Sequence, residues 1–334
     1  MSSAAAKVAL IGAGRMGRVH GLSAAANQRL HLAWLAEPRS DAAAALAAEL
    51  GCRTASLADV LADPEVRGVI VAASTDAHLD LTLQALRAGK AVFCEKPLDL
   101  DPARLKAHAA ELAAPAAPLL VAFNRRFDPH VRALKAKIDA GAIGALETLN
   151  IVSHDPAPPP PGFVATSGGL FRDFTIHDFD TAAWLMDEAP SEVFAFAECL
   201  VDPTIGAAGD VDTARLVLRF PSGRLCTISN TRRSGYGYDQ RIEAYGAKGA
   251  AMAGNPRLST VVAASRAGAR ADAIHPGFAS RYLPSYRAEM EHFADVLAGE
   301  AAPAAGYAES IAALALAEAA LRSLASGASE AVAA

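Results

Sequence analysis

Cysteine is scarce, with four in 334 residues: Cys52, Cys94, Cys199 and Cys226. They share no metal-ligand spacing. Each lies in or near an apolar segment, so buried, reduced thiols are expected. Positive charge is also short. Thirty-one Lys and Arg stand against 36 Asp and Glu, a net charge of −5, which leaves no basic footprint for nucleic acid. The hydrophobic fraction is 52%, but alanine inflates it and no uninterrupted apolar run reaches membrane-span length. Residues 1–6 are small and run straight into a strand, without the design of a signal peptide. These absences point to a soluble cytoplasmic protein with no nucleic-acid or membrane partner. There is no internal repeat.

What is present is a chain long enough for two domains, each with its own core. Residues 7–11, Lys-Val-Ala-Leu-Ile, read as a buried parallel strand, and Gly12-Ala13-Gly14-Arg15-Met16-Gly17 follows at once. Met16, Val19 and Leu22 then mark a helix by their spacing. In this strand–loop–helix setting a G-x-G-x-x-G segment signals a dinucleotide site. Gly12 permits the tight turn, Gly14 lets a pyrophosphate approach the backbone, and Gly17 allows close helix–strand packing. The phosphates would rest on the helix N-terminus, beside Arg15 and Met16. The competing reading is a glycine turn with no ligand.

A strand over 32–36 ends in Glu37, an acidic residue placed to bond the ribose 2′-hydroxyl of NAD and to repel the 2′-phosphate of NADP. Arg39 is either a cofactor contact or a solvated charge. A strand over 68–73 ends in Ser74-Thr75-Asp76-Ala77-His78 and leads into a helix over 76–87. Ser74, Thr75 and His78 are candidate cofactor contacts, and Asp76 is either a contact or a helix N-cap. The next strand, 91–95, runs into Glu95-Lys96-Pro97. A helix over 102–112 and a strand over 119–123 follow, ending in Asn124-Arg125-Arg126. Strands alternating with helices imply a doubly wound parallel sheet, a Rossmann domain over 1–125. Lys96 then stands at the carboxyl edge of that sheet, where ligands bind, with Glu95 beside it, and both are candidate cofactor contacts. A cation there faces the reactive carbon of a nicotinamide, which points to a dehydrogenase.

From about residue 145 the pattern changes. Strand-length segments at 147–152, 192–200, 214–220, 225–230, 240–245 and 258–263 predict an open, mainly antiparallel sheet. Such a sheet needs a cover or a partner subunit on each face. Residues 126–334 therefore form an α+β domain for substrate binding and oligomerisation, with the last C-terminal helix a candidate to pack back on the first domain. The proline-rich stretch 156–161 must be a stiff extended loop. Residues 286–297 and 307–324 read as alanine-rich helices, and the final residues as a frayed tail. Between the first two strands of this sheet, Ile176, Phe179 and Ala183 mark the buried face of a helix. Asp173 and His177, four apart, share another face and can touch. A carboxylate beside an imidazole fixes its tautomer and supports a general base. The competing reading has Asp173 as a helix cap and His177 as a polar neighbour. Two such ligands without a clear third do not make a metal site.

Taken together, Gly12 to Gly17, Glu95-Lys96-Pro97 and the Asp173-x-x-x-His177 helix resemble the glucose–fructose oxidoreductase / inositol dehydrogenase family of Rossmann enzymes over essentially the full chain. Ser167-Gly168-Gly169-Leu170-Phe171-Arg172-Asp173 through Asp180, Ile228-Ser229-Asn230-Thr231-Arg232-Arg233 through Tyr236-Gly237-Tyr238-Asp239-Gln240-Arg241, and the Asp155-Pro156 step look like its inositol 2-dehydrogenase branch, with His154 standing where that branch often has arginine. The resemblance implies NAD-dependent oxidation of a cyclitol hydroxyl, myo-inositol first, to a ketone. His177 would accept the hydroxyl proton, Asp173 would hold His177, and Lys96 would bond the reacting oxygen or itself take the proton. Lys96, Asp173 and His177 would also touch the substrate. Asn124, Arg126, His154, Asp155 and Tyr236 would grip other hydroxyls. A different polyol or sugar, or glycosidic cleavage with transient use of NAD, are the alternatives. The family pattern also implies a homotetramer paired through the open sheet.

Overall fold

The computed structural model describes residues 5–160 and 162–332. The chain forms two compact units: residues 1–127 with 284–314, and residues 128–283 with 315–334. The first unit therefore recruits a segment from far along the chain.

Its sheet consists of β1 (Ala6–Ile11), β2 (Leu30–Ala36), β3 (Arg53–Thr54), β4 (Gly68–Val71), β5 (Ala91–Glu95) and β6 (Leu119–Ala122). The order is β3-β2-β1-β4-β5-β6, with every pair parallel. Val8, Leu10, Val69, Ile70, Val92 and Phe93 are fully buried, as strands covered on both faces must be. The order reverses between β1 and β4, which sets the ligand crevice at the carboxyl ends of these strands.

The helix Arg15–Ala25 buries Gly17, His20, Gly21 and Ala24. The Met16, Val19, Leu22 stripe is not its inward side, since Leu22 is exposed. Small residues win because the helix lies so close to the sheet. A Cβ on Gly17 would stand 2.2 Å from the Gly12 oxygen. The expected helix over 102–112 is two helices, Pro102–Ala107 and Ala109–Ala113, broken at His108.

The returning segment brings the helix Leu283–Ala298, whose Met290, Phe293, Ala294 and Leu297 join the core around Leu10, Ile70 and Phe93. Its tips press on Gly68, where an added Cβ would meet Phe293 at 2.8 Å. The same helix carries Glu289, which is 0% exposed, and neither of its carboxylate oxygens has a hydrogen-bond partner.

In the second unit β7 (Leu146–His154), β8 (Glu192–Glu198), β9 (Thr213–Arg219), β10 (Leu225–Thr231), β11 (Asp239–Gly246) and β12 (Gly249–Ala253) form one sheet. Two further strands, β13 (Val262–Ser265) and β14 (Gly268–Ala271), form a separate exposed ribbon. The strand expected over 258–263 belongs to this ribbon and not to the main sheet. The main sheet runs β12-β11-β7-β10-β9-β8-β15, closed at its edge by β15 (Glu330–Ala331). The tail is thus not frayed there: Glu330 pairs with Val193, while 333–334 lie outside the described residues. All pairs are antiparallel except β7 with β10. Residues 156–160 form no regular element, and Pro161 of the proline run lies outside the described residues.

All four cysteines are free, but only Cys94 and Cys226 are buried; Cys52 and Cys199 are half-buried. Burial pushes the Cys94 thiol up to about 12. No helix among the described residues is long and apolar enough to cross a membrane.

Burial, and then the nearby Glu95 charge, push the Glu289 carboxyl well above its ordinary value. Above the ordinary glutamate range the folded protein therefore keeps a proton that the unfolded chain has released. Stability is full below the ordinary glutamate range. It falls by about 1.4 kcal/mol per pH unit as pH rises from there towards the folded value. Glu289→Gln removes that slope, so its melting temperature should gain on the wild type between pH 5 and pH 8. A constant difference across that range would contradict a neutral Glu289.

Candidate active site

The nucleotide loop is shaped by backbone contacts. Gly12 has φ +105°, and a Cβ there would collide with the Ala72 oxygen at 2.5 Å. At Gly14 a Cβ would meet nothing within 4 Å. No protein contact thus demands glycine at that point, and the open space suits a phosphate group. The following helix starts with Gly14 as N-cap, no side-chain cap and no acidic residue in its first turn. Its N–H groups and dipole are left to an anion. These residues fit a dinucleotide. Arg15 is exposed and Met16 half-buried beside the loop.

Glu37 follows the end of β2. Its Oε2 accepts from the Ala13 N–H at 2.8 Å, and its Oε1 accepts from Arg39 Nε at 2.9 Å and Arg39 N at 3.1 Å. Burial alone would raise this carboxyl. The bonds from Arg39 and Ala13 outweigh it and hold the value below the usual range, so Glu37 is a carboxylate. Arg39 is therefore an exposed charge that pairs with Glu37. Beyond β4, Ser74 is exposed and Thr75 half-buried. Asp76 caps neither the short 3-10 turn nor the helix His78–Arg87.

At the end of β5, Glu95 is buried and fixes the turn. It accepts from His20 Nε2 at 2.5 Å and from the Lys96 N–H at 3.0 Å. Burial raises its carboxyl, but the His20 bond and the charges of His20, Lys96 and His78 lower it further, so the net shift is downward. His78 Nδ1 donates to the Pro97 oxygen at 2.8 Å, and its Nε2 lies 3.2 Å from the Ala73 oxygen. Both expected cofactor residues are thus committed to the scaffold around Lys96, whose side chain is half-buried. Pairing of β5 with β6 sets Asn124 and Arg126 on the neighbouring strand end. Arg126 Nη1 donates to the Ala304 oxygen at 2.9 Å.

In the second unit the parallel pair decides the layout. Thr231 of β10 stands beside His154 of β7, so Arg232 and Asp155 leave the sheet together, joined by Asp155 N–H to Thr231 O at 2.9 Å. Asp239 of β11 pairs with His154 from the other side. Tyr236 donates its hydroxyl to Asp239 Oδ2 at 2.6 Å, although the residue is 61% exposed. His154 Nε2 lies 2.8 Å from the Ser229 hydroxyl. Burial lowers the imidazole more than Asp239 raises it, which favours the neutral ring.

Asp173 and His177 reach the same unit by an unexpected local structure. Leu170–Thr175 is a π-helical turn, and the α-helix proper is Ile176–Met186. Asp173 therefore lies in the π-helical turn and His177 in the first turn of the α-helix, where one continuous α-helix was expected. Gly168 and Gly169, with φ of +85° and +82°, force the turn. The Asp210 carboxylate accepts from Leu170 N at 3.0 Å and anchors it. Asp173 does not cap the helix; the cap position is Thr175, whose hydroxyl goes to Asn230 at 2.7 Å. Asp178 accepts from Ser153 Oγ at 2.6 Å and from Asn230 Nδ2 at 2.7 Å, all buried. This network pins the start of the helix that carries His177. Sequence reading missed Asn230, Asp178 and Arg232 as supports, because their partners are 25 to 77 residues away.

The doubly wound sheet, its phosphate loop and the strand-end lysine define an NAD-binding oxidoreductase. Residues 6–123 match the oxidoreductase family with an NAD-binding Rossmann fold, and residues 131–252 match the GFO/IDH/MocA C-terminal domain; the chain belongs to the GFO/IDH/MocA family. It is 43% identical over 316 residues to an inositol 2-dehydrogenase of Rhizobium meliloti, covering 95% of this chain and 96% of that one. It is 42% identical to a myo-inositol 2-dehydrogenase of Thermotoga maritima, covering 86% of each. Its fold matches the crystal structure of a myo-inositol dehydrogenase from Corynebacterium glutamicum with TM-score 0.93, 36% identity and 99% coverage of both chains.

Glu37→Ser removes the carboxylate that accepts from Ala13 N–H in the nucleotide loop and that is expected to bond the ribose 2′-hydroxyl of NAD. The preference in kcat/KM for NAD over NADP should fall by about tenfold or more. A ratio equal to that of the wild type would take Glu37 out of the ribose site.

Proposed function

We propose that this oxidoreductase converts a cyclitol hydroxyl to a ketone, with myo-inositol giving 2-keto-myo-inositol. The observation that carries the reading is 43% identity over 95% of the chain to an inositol 2-dehydrogenase. The residues here supply the chemistry such a substrate needs. An uncharged polyol must satisfy many hydroxyls, and any left unpaired in a buried site is costly. His154, Asp155, Asp173, Tyr236, Asn124 and Arg126 are the groups assigned to them. NAD, when bound, supplies the hydride acceptor. His177 takes the hydroxyl proton, Asp173 orients the imidazole and favours its charged form, and Lys96 donates a hydrogen bond to the reacting oxygen as its charge grows.

The outer face of the second sheet supports the homotetramer reading. Phe196 of β8, Val217 of β9, Leu225 of β10 and Met252 of β12 are all exposed there, interleaved with Arg215, Arg219 and Glu243, and pairing with another copy would cover these apolar side chains. Four free cysteines fit a reducing, cytoplasmic setting.

The test is NADH formation with myo-inositol, scyllo-inositol, chiro-inositol, glucose and xylose. The highest kcat/KM is expected with myo-inositol, and preference for another member moves the substrate while keeping the reaction. No NADH with any of them, despite NAD binding, defeats the reading. Lys96→Met and His177→Ala should each cut turnover on the order of 1000-fold, with NAD affinity retained. Full activity in either variant removes that residue from the chemistry.

A further inference from the structure

Arg232 carries none of the roles assigned above, yet it touches two of the residues that do. Its Nη1 lies 3.3 Å from Asp155 Oδ2 and its Nη2 lies 3.5 Å from Asp173 Oδ2. The residue is 3% exposed. Its guanidinium carbon sits 5.1 Å from the centre of the Phe174 ring, and Phe174 neighbours Asp173 in the π-helical turn. The backbone is held as well: the Arg232 N–H donates to the Asp212 oxygen at 2.8 Å. The Asp212 carboxylate is itself fixed by the N–H groups of Leu200, Val201 and Asp202 at 2.8–2.9 Å.

We infer that Arg232 is a positioning residue for Asp173 and His177, a single guanidinium that holds the carboxylates of Asp155 and Asp173 side by side. The inference rests on the reading of Asp173 and His177 as the orienting and proton-accepting residues. Two carboxylates drawn to one place repel each other, and each then favours its protonated form. A planar guanidinium between them offsets that repulsion, with Nη1 hydrogen-bonded to Asp155 and Nη2 in ionic contact alone with Asp173, an arrangement a lysine ammonium reproduces less well. Both separations are longer than the roughly 2.7–2.9 Å of a tight charge-assisted bond. The clamp therefore sets direction and field while leaving carboxylate lone pairs for other partners.

The other titratable groups on the surrounding elements are engaged elsewhere. Asp178 bonds Ser153 and Asn230, His154 lies against Ser229, and Asp210 holds Leu170 N. Arg172 pairs with Glu318 at 2.5 Å. Asp239, at the same sheet edge, pairs with Arg241 at 2.8 Å. These charges stay in place when Arg232 is replaced, so the change at His177 comes from Asp173 and Asp155 losing their guanidinium. Loss of Arg232 leaves two negative charges uncompensated, which stabilises the imidazolium of His177. The neutral, proton-accepting ring is then populated only at higher pH.

The experiment is the pH profile of kcat/KM for myo-inositol, with NAD affinity and thermal stability measured alongside, in Arg232→Gln and Arg232→Lys. In Arg232→Gln, kcat/KM should fall on the order of 100-fold, and the acid limb should move to higher pH, with NAD affinity unchanged. Arg232→Lys should restore the limb to its wild-type position and recover part of the rate. If Arg232→Gln does not fold, Asp155→Asn serves instead, and its acid limb should move to lower pH. An unmoved limb in the variant measured overturns the inference. So does an equal rate loss in the Gln and Lys variants without a pH shift, since Arg232 would then act by packing alone. Full activity in His177→Ala and Asp173→Asn would defeat the underlying reading itself. Inactivity of those two beside an unmoved limb defeats only the role of Arg232.

Discussion

The parallel pairing of β7 with β10 governs where the polar residues of the second unit go. In an otherwise antiparallel sheet, neighbouring strands end on opposite edges, and residues that follow them diverge. Here two strands finish on the same edge with Thr231 beside His154. Asp155 and Arg232 therefore emerge as neighbours, and β11 begins at that edge with Asp239 opposite His154. The π-helical turn then needs only to arrive over this edge, and the Asp178–Asn230 bond ties the helix after it to β10.

The first unit solves a related problem with a buried carboxylate. Glu95 spends one oxygen on His20 and the other on the Lys96 amide, which joins the nucleotide helix to the turn that presents the lysine. His78 adds a second strut through the Pro97 oxygen. Neither residue needs to touch a ligand to matter, because a strand-end lysine on a loose turn could not hold one geometry.

Much of the first sheet was legible in the sequence, because β4 and β5 are unbroken apolar runs and each is followed by a helix. The phosphate loop was legible because Gly12 and Gly17 answer to close backbone contacts and Gly14 leaves the open space that suits a phosphate. The inward face of the first helix was not. Glycine and histidine carry little hydrophobic signal, whereas Val19 and Leu22, which carry more, do not line the buried side. The π turn was hidden for another reason: Asp173 and His177 have a spacing that an α-helix would also satisfy, and only the conformation of Gly168 and Gly169 distinguishes the two. Asn230 and Arg232 were unreadable as supports, since their value lies in register across the sheet. The ribbon of β13 and β14 was misassigned because a short apolar run does not say which sheet it joins.

The return of residues 284–314 to the first unit has a consequence for how the chain acquires its shape during synthesis. Phe293 and Leu297 cover Gly68 at the centre of the parallel sheet, and Met290 and Ala294 belong to the same core. The nucleotide-binding half, although encoded first, cannot close its core until residues up to Leu297 have left the ribosome. Domains usually fold in the order in which they are made. Here the intervening residues 128–283 are complete as a stretch of chain before the earlier half is, so the apolar face around Phe93 and Ile70 must stay uncovered, or be sheltered by a chaperone, in the interval.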